Sequence, residues 1–179
     1  MSQNELSKGL VVAVCSSPDK GFPSYLQPWI YVDKFGISGD SHAGPLRESY
    51  HNPGTLVKND RPVSIVSDEV REEMNERFDI HMQPGDFNEQ VLVQGLGDLG
   101  AIAVGSIVSF KTGVELEVVD RAWPCINLAN YNREKRLINA LNIEVNKQRY
   151  SRRGLLASVR KTGYLFAGNT LQILPPVSM

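Results

Sequence analysis

The chain is short of the groups that most often announce a function. Only two of its 179 residues are cysteine, Cys15 and Cys125, and they lie far apart. A bridge between them is possible, but it is not expected in a reducing compartment. There are three histidines, and no pair has the close helical spacing of a zinc motif, so a dedicated divalent-metal site is not expected. No apolar run approaches the ~18 residues of a membrane span. The opening Met1-Ser2-Gln3-Asn4-Glu5 lacks the basic-then-apolar form of a signal peptide, so the expected location is the cytoplasm. Charge of one sign is also missing. Nineteen basic residues meet twenty acidic ones for a net charge of −1, which favours neither nucleic acid nor an anionic membrane as partner. Gly95, Gly97, Gly100 and Gly105 lead into no Gly-Lys-Ser/Thr ending, which excludes a phosphate loop. With no internal repeat, no linker and no recurring βα unit, residues 1–179 read as one domain with its core at about 10–174.

What is present is a series of short strands. Hydrophobic residues at 41% and charged residues at 22% suit a globular domain that buries its own core. The β-branched run Leu10–Cys15, the alternating Pro62–Val66, and the runs 91–93, 105–110, 114–119, 155–161 and 169–174 are strand-like and bounded by turn residues. Trp29–Phe35 is a further strand, and 16–28 and 45–61 read as loops. Ser67 is an N-cap signal, with Asp68 and Glu69 in the first turn and Val70, Met74 and Phe78 on one helical stripe. A second helix is predicted over Arg133–Gln148, with Leu137, Ile138, Leu141 and Val145 on one face, while 127–131 reads as irregular. Eight or nine short strands and two helices predict a mainly β, closed barrel-like domain with flanking helices.

Three sets of residues carry possible chemistry. Cys125 follows Pro124 at the end of a strand, two residues after Trp123 and four after Arg121. Proline restricts the path of the chain there, and a nearby arginine would favour the reactive, metal-binding thiolate. On local sequence alone the stronger reading of Cys125 is a small buried hydrophobe. Asp40 and His42, framed by Gly39 and Gly44, lie two apart, so an extended segment would put both on one side and let the carboxylate orient the ring. The competing reading is a polar turn. Arg152-Arg153, directly before Gly154 and a strand, is placed to hold an anion.

Taken in order, these pieces resemble the MOSC domain, the family named for the C-terminal domain of molybdenum cofactor sulfurases. The resemblance rests on Ser17-Pro18, Gly39-Asp40-x-His42-Ala43-Gly44, Arg61-x-Val63-Ser64-Ile65 and Gly85-x-Phe87-x-Glu89. It continues with Cys125 after proline, then Arg153-Gly154-Leu155 with Gly163 and Gly168. It implies a β-barrel and a role in molybdenum cofactor (molybdopterin) chemistry, with Cys125 binding molybdenum or carrying sulfur. Arg153, or Arg121 in its place, would hold the pterin phosphate, with Gly39, Gly44 and Glu89 around the cofactor and His42 and Asp40 beside Cys125 in catalysis. Three positions depart from the family pattern. Gln90 stands where asparagine is frequent, Asn169 follows Gly168 where aspartate is usual, and Ser24 occupies a lysine position. The resemblance implies reduction of N-hydroxylated small molecules with an electron-donor protein, or sulfur transfer through a Cys125 persulfide supplied by a cysteine desulfurase. A non-catalytic cofactor-binding module is the third alternative. No pyridoxal-phosphate domain is recognisable in the chain, so sulfur would have to come from another protein.

Overall fold

A computed structural model describes residues 8–176. The chain begins with β1 (Lys8–Ser16), followed by four short strands, β2 (Tyr25–Gln27), β3 (Ile30–Asp33), β4 (Gly36–Ile37) and β5 (Leu46–Glu48). Next come β6 (Leu56–Lys58), β7 (Val63–Ser67), α1 (Asp68–Phe78), β8 (Val91–Gln94), β9 (Ile107–Phe110) and β10 (Glu115–Arg121). The last third holds α2 (Ile126–Tyr131), α3 (Arg136–Leu141), β11 (Asn142–Val145), β12 (Gln148–Ser151), β13 (Leu155–Lys161), β14 (Gly163–Leu165) and β15 (Thr170–Leu174). The main sheet runs β15-β9-β10-β13-β7-β8-β1-β2, and β15 also pairs with β1, so seven strands close into a barrel with β2 outside the ring. All seams of the main sheet are antiparallel except β7–β8, whose strands are joined through α1 and are parallel. Closure leaves no free edge in the ring, which is how a small antiparallel sheet avoids pairing with other chains.

Side-chain alternation on the barrel strands divides the buried residues into two cores. Val14, Val63, Ile65, Val91, Val93, Leu116 and Leu155 point inward and fill the barrel. Ala13, Val66 and Leu92 point outward and form a second core with Val70, Met74, Phe87, Leu128 and Leu137, between the barrel wall and the helices. α1 starts as its sequence predicts, with the Ser67 hydroxyl accepting from the Val70 amide at 3.2 Å.

Four expectations are corrected. The stretch 16–28, expected as a loop, contains β2, which pairs with the end of β1. The helix expected over Arg133–Gln148 stops at Leu141, and the rest folds as the β11–β12 hairpin. Asn146 and Lys147 both have positive φ, 51° and 63°, the conformation a two-residue hairpin turn requires. The apolar spacing up to Val145 fits a helix, yet Ile143 and Val145 are β-branched and sit equally well in a strand. Residues 127–131 lie within α2, because Leu128 and Ala129 bury themselves in the outer core. The polar stretch 45–61 contains the β5–β6 hairpin.

Leu116 is fully buried inside the barrel. Leu116→Ala is expected to lower unfolding stability by about 2–5 kcal/mol. Urea titration should record this as a lower midpoint at unchanged slope.

Candidate functional site

The site lies on the outer flank of the barrel, at the margin of the outer core. Cys125 immediately precedes α2 but its side chain does not cap that helix, so the thiol is not engaged by the backbone of its own segment. It is half-buried, packs against the outer core and forms no disulfide. The group facing it is Arg153. This guanidinium donates from Nη1 to the Trp123 carbonyl at 2.7 Å and from Nη2 to the Phe87 carbonyl at 3.0 Å. Burial works against its positive charge, while the neighbouring Cys125 and Glu89 favour it. Arginine remains a cation under such conditions, so a fixed positive charge lies against the sulfur. The Phe22 ring lies beneath the guanidinium, 5.9 Å away, and stacks on Tyr131.

The 85–90 segment forms the other wall. Glu89 is completely buried, and its carboxylate accepts from the Gly85 amide at 2.7 Å and the Phe87 amide at 3.1 Å. Burial pushes this carboxyl up, against the pull of those amides, and the Asp86 charge adds to the rise. Gly85 has φ of 98°, and a Cβ there would lie 2.0 Å from the Ser24 carbonyl oxygen, so only glycine lets the segment cross the 16–28 loop. Both Glu89 oxygens are therefore engaged by the backbone and shut off from solvent. Glu89 was expected around a cofactor; here its carboxylate holds the wall in shape instead. Cys15 lies under the same segment with no exposure, and burial, then the charges of Glu89 and Asp86, push its thiol far up.

Asp40 and His42 form a compact polar cluster. One Asp40 oxygen accepts from the Ser17 amide at 2.9 Å; the other accepts from the His42 amide at 2.8 Å and lies 2.8 Å from His42 Nδ1. Burial alone would raise this carboxyl, but the hydrogen bonds from the His42 ring, Ser17 and the His42 amide outweigh it and hold Asp40 below its ordinary value. Gln90, also buried, donates to Asp40 at 3.2 Å, and its oxygen accepts from the Ser64 amide and hydroxyl, both at 2.8 Å. Asn88 Nδ2 lies 3.5 Å from His42 Nε2, and Ser24 donates to Asn88 Oδ1 at 2.9 Å. Gly39 and Gly44, with φ of 81° and 133°, shape the two ends of the Asp40–His42 turn.

Two arginines behave differently from the expectation that either would serve the site. The guanidinium of Arg121 donates to the Gly100 and Ile102 carbonyls at 2.9 and 3.2 Å, away from the groups around Cys125. A bulge in β10 between Val118 and Asp120 sets the direction in which that strand end faces. Arg152 is ion-paired with Glu73 and Asp98, leaving Arg153 alone of the pair at the site. Asn88 was not singled out by the sequence, and Ser64 was named only as part of the motif Arg61-x-Val63-Ser64-Ile65. Their signal is faint: Ser64 is a polar residue at an outward strand position, and Asn88 is a non-glycine residue with φ of 61°. Of the three departures, Ser24 and Gln90 belong to this polar cluster, while Asn169 closes a turn by accepting from the Phe166 amide at 2.9 Å.

The family model for the MOSC domain matches residues 40–172, most of the chain and all of the elements that build this site except the first loop. The chain belongs to the MOSC domain family. Among curated proteins it is similar to YuaD of Bacillus subtilis (strain 168), whose name provisionally places it in metal-sulfur cluster biosynthesis. The two are 26% identical over 178 residues, covering 93% of this chain and 88% of YuaD. The crystal structure of B. subtilis YuaD superposes with a TM-score of 0.80 at 23% identity, covering 94% of this chain and 97% of that one. YiiM from Escherichia coli shares the fold at a TM-score of 0.62 and 16% identity, with coverage of 97% and 71%. These likenesses confirm the barrel expected from sequence. Among the described residues, no helix of this MOSC protein is long and apolar enough to cross a membrane.

Two outcomes follow from the geometry. Brief alkylation of the native protein should place one label on Cys125 and none on Cys15, with both labelled after denaturation; intact mass and peptide mapping read this directly. Asp40, held below its unfolded value, contributes stability that is present above the ordinary aspartate range and lost as pH falls through its folded value. Asp40→Asn should therefore flatten the acid limb of a stability-versus-pH curve and lower stability near neutrality by about 1–3 kcal/mol, since it leaves buried donors without an acceptor.

Proposed function

We propose that this MOSC protein binds the molybdenum cofactor through the Cys125 thiolate and reduces N-hydroxylated small molecules with electrons from a partner protein. The observation that carries this reading is the free, half-exposed Cys125 thiol against the clamped Arg153 guanidinium. Among the described residues no three His, Cys, Asp or Glu side chains gather as a metal site. A single protein thiolate therefore suits a metal that arrives with most of its ligands. A soft sulfur donor matches such a centre. Arg153 gives two of its five N–H groups to backbone carbonyls and also faces the Cys125 sulfur, so an anion such as the pterin phosphate held beside that sulfur would meet a fixed guanidinium charge. When bound, the cofactor would supply two-electron redox chemistry. The chain itself would hold the metal at Cys125, neutralise added negative charge with Arg153, and keep the wall rigid through Glu89.

A second reading is favoured by the name of the relative YuaD. In it, Cys125 accepts sulfur as a persulfide from a cysteine desulfurase and passes it to a metal-sulfur cofactor. The same thiolate and guanidinium serve that role.

The test is elemental analysis for molybdenum, with pterin fluorescence, on protein from a cofactor-competent host, beside Cys125→Ala. The proposal expects molybdenum in the parent, at least about tenfold less in the variant, and turnover of a hydroxylamine by the parent alone. The proposal is sunk if neither protein contains molybdenum. In that case a mass gain of one sulfur on Cys125 after incubation with a desulfurase would establish the carrier reading.

A further inference from the structure

The outer face of the barrel carries a second opening, away from Cys125, at the seam where the ring closes. There β1 and β15 pair through Lys8–Gln172, Gly9–Leu171 and Leu10–Thr170. Across β15 the rows continue into β9, where Leu171 meets Phe110 and Gln172 meets Ser109. Leu171 and Phe110 belong to the core inside the barrel, so their neighbours along each strand point outward. One outward row is therefore Lys8, Gln172 and Ser109. The next is Gln94, Leu10, Thr170 and Lys111, with the Lys111 amide donating to the Thr170 carbonyl at 2.9 Å. Both rows line a cavity of about 570 Å³, within the usual range for small-molecule sites.

The charge on this face is one-sided. Among the described residues the one lysine ion pair is Lys161 with Glu115 at 2.7 Å, which leaves Lys8 and Lys111 unpaired. The bordering carboxylates are both engaged: Glu115, beyond Ser109 in its row, by Lys161, and Glu69 by the Gly95 amide at 2.5 Å. Neither lines the cavity. With adjacent strands about 4.8 Å apart, the two lysine Cα atoms stand about 12 Å from each other. Their flexible stems let both ammonium groups reach one group placed between them.

We propose that this cavity binds a small phosphorylated, hydroxyl-rich molecule, with Lys8 and Lys111 closing on its phosphate. A phosphate carrying nearly two negative charges matches two unpaired ammonium groups. The Gln94 and Gln172 amides, with the Ser109 and Thr170 hydroxyls, offer both donors and acceptors to the hydroxyl groups. A nucleotide fits less well, because the one ring among the lining residues, Phe110, faces the core and offers no stacking surface. The site shares no residue with the group around Cys125 and stands whether or not the chain carries molybdenum. A ligand held by both lysines bridges β1 to β9 across the closing seam, and so stabilises the folded ring.

The test is a ¹H–¹⁵N NMR titration with glucose 6-phosphate at about 0.15 M salt, where loose ion pairing is screened. The parent should saturate with a Kd of about 1 mM or tighter, its shifts concentrated at the amides of 8–10, 94–95, 109–111 and 170–172. Lys8 and Lys111 are exposed, so alanine at either position leaves the fold intact. Each variant should bind about tenfold or more weakly, the size of one lost charge-assisted hydrogen bond. Lys58→Ala, on the β5–β6 hairpin, should bind as the parent does. Glucose and citrate should each bind about tenfold or more weakly than glucose 6-phosphate. Ligand should raise the melting temperature of the parent and leave that of the Lys8→Ala, Lys111→Ala double variant unchanged. The proposal is overturned if glucose 6-phosphate fails to saturate, if its shifts fall outside this face, or if both single variants bind like the parent. Equal affinity for glucose would remove the phosphate from the account, and equal affinity for citrate would overturn the assigned class in favour of a carboxylate.

Discussion

One half-buried guanidinium ties together segments that are far apart in sequence. Arg153 leaves the chain just before β13 and hydrogen-bonds the carbonyl of Trp123 after β10 and that of Phe87 in the loop before β8. Its charge is balanced between a buried carboxylate, Glu89, and the thiol of Cys125. A cation in this setting is stable only with its carbonyl and anionic partners in place. Removing it would release the proline-stiffened approach to Cys125 from the wall it leans on, and leave the Glu89 carboxylate without a nearby positive charge. The position of the thiol therefore depends on tertiary structure more than on its own segment.

The barrel supplies the frame but takes no direct part. Its interior is filled with apolar side chains, and the site occupies the outer core, where Val66, Leu92 and Ala13 face the helices. A cavity of about 570 Å³ opens elsewhere, over the β1, β9 and β15 strands by Lys8, Phe110 and Leu171. It touches none of the residues around Cys125. Placing chemistry on the outer face has a physical advantage: loops there can be bound by charge and hydrogen bonds without disturbing the closed hydrogen-bond ring of the barrel.

Much of this was legible in the sequence. Strand alternation gave the mainly β character, the Ser67-Asp68-Glu69 start gave α1, and the ordered glycine, aspartate and cysteine motifs pointed to the MOSC family. What was not legible came from partners distant in the chain. Arg121 looked like the guanidinium for Cys125 because it is four residues away, whereas Arg153 holds that place through space. Glu89 carried a family motif, yet its burial shows that its carboxylate serves backbone amides. The helix expected over Arg133–Gln148 ends at Leu141 and gives way to a hairpin turning at Asn146-Lys147, whose left-handed conformations apolar spacing carries no information about. Gln90 read as a departure until its amide was seen between Ser64 and Asp40.

The central claim is that the Cys125 sulfur is the protein's own ligand to the metal. X-ray absorption at the molybdenum edge, on loaded parent and on a loaded Cys125→Ser variant, counts sulfur neighbours directly. The account predicts that the variant loses one sulfur scatterer from the first coordination sphere. The same sulfur count in both proteins would contradict it and remove Cys125 from the metal.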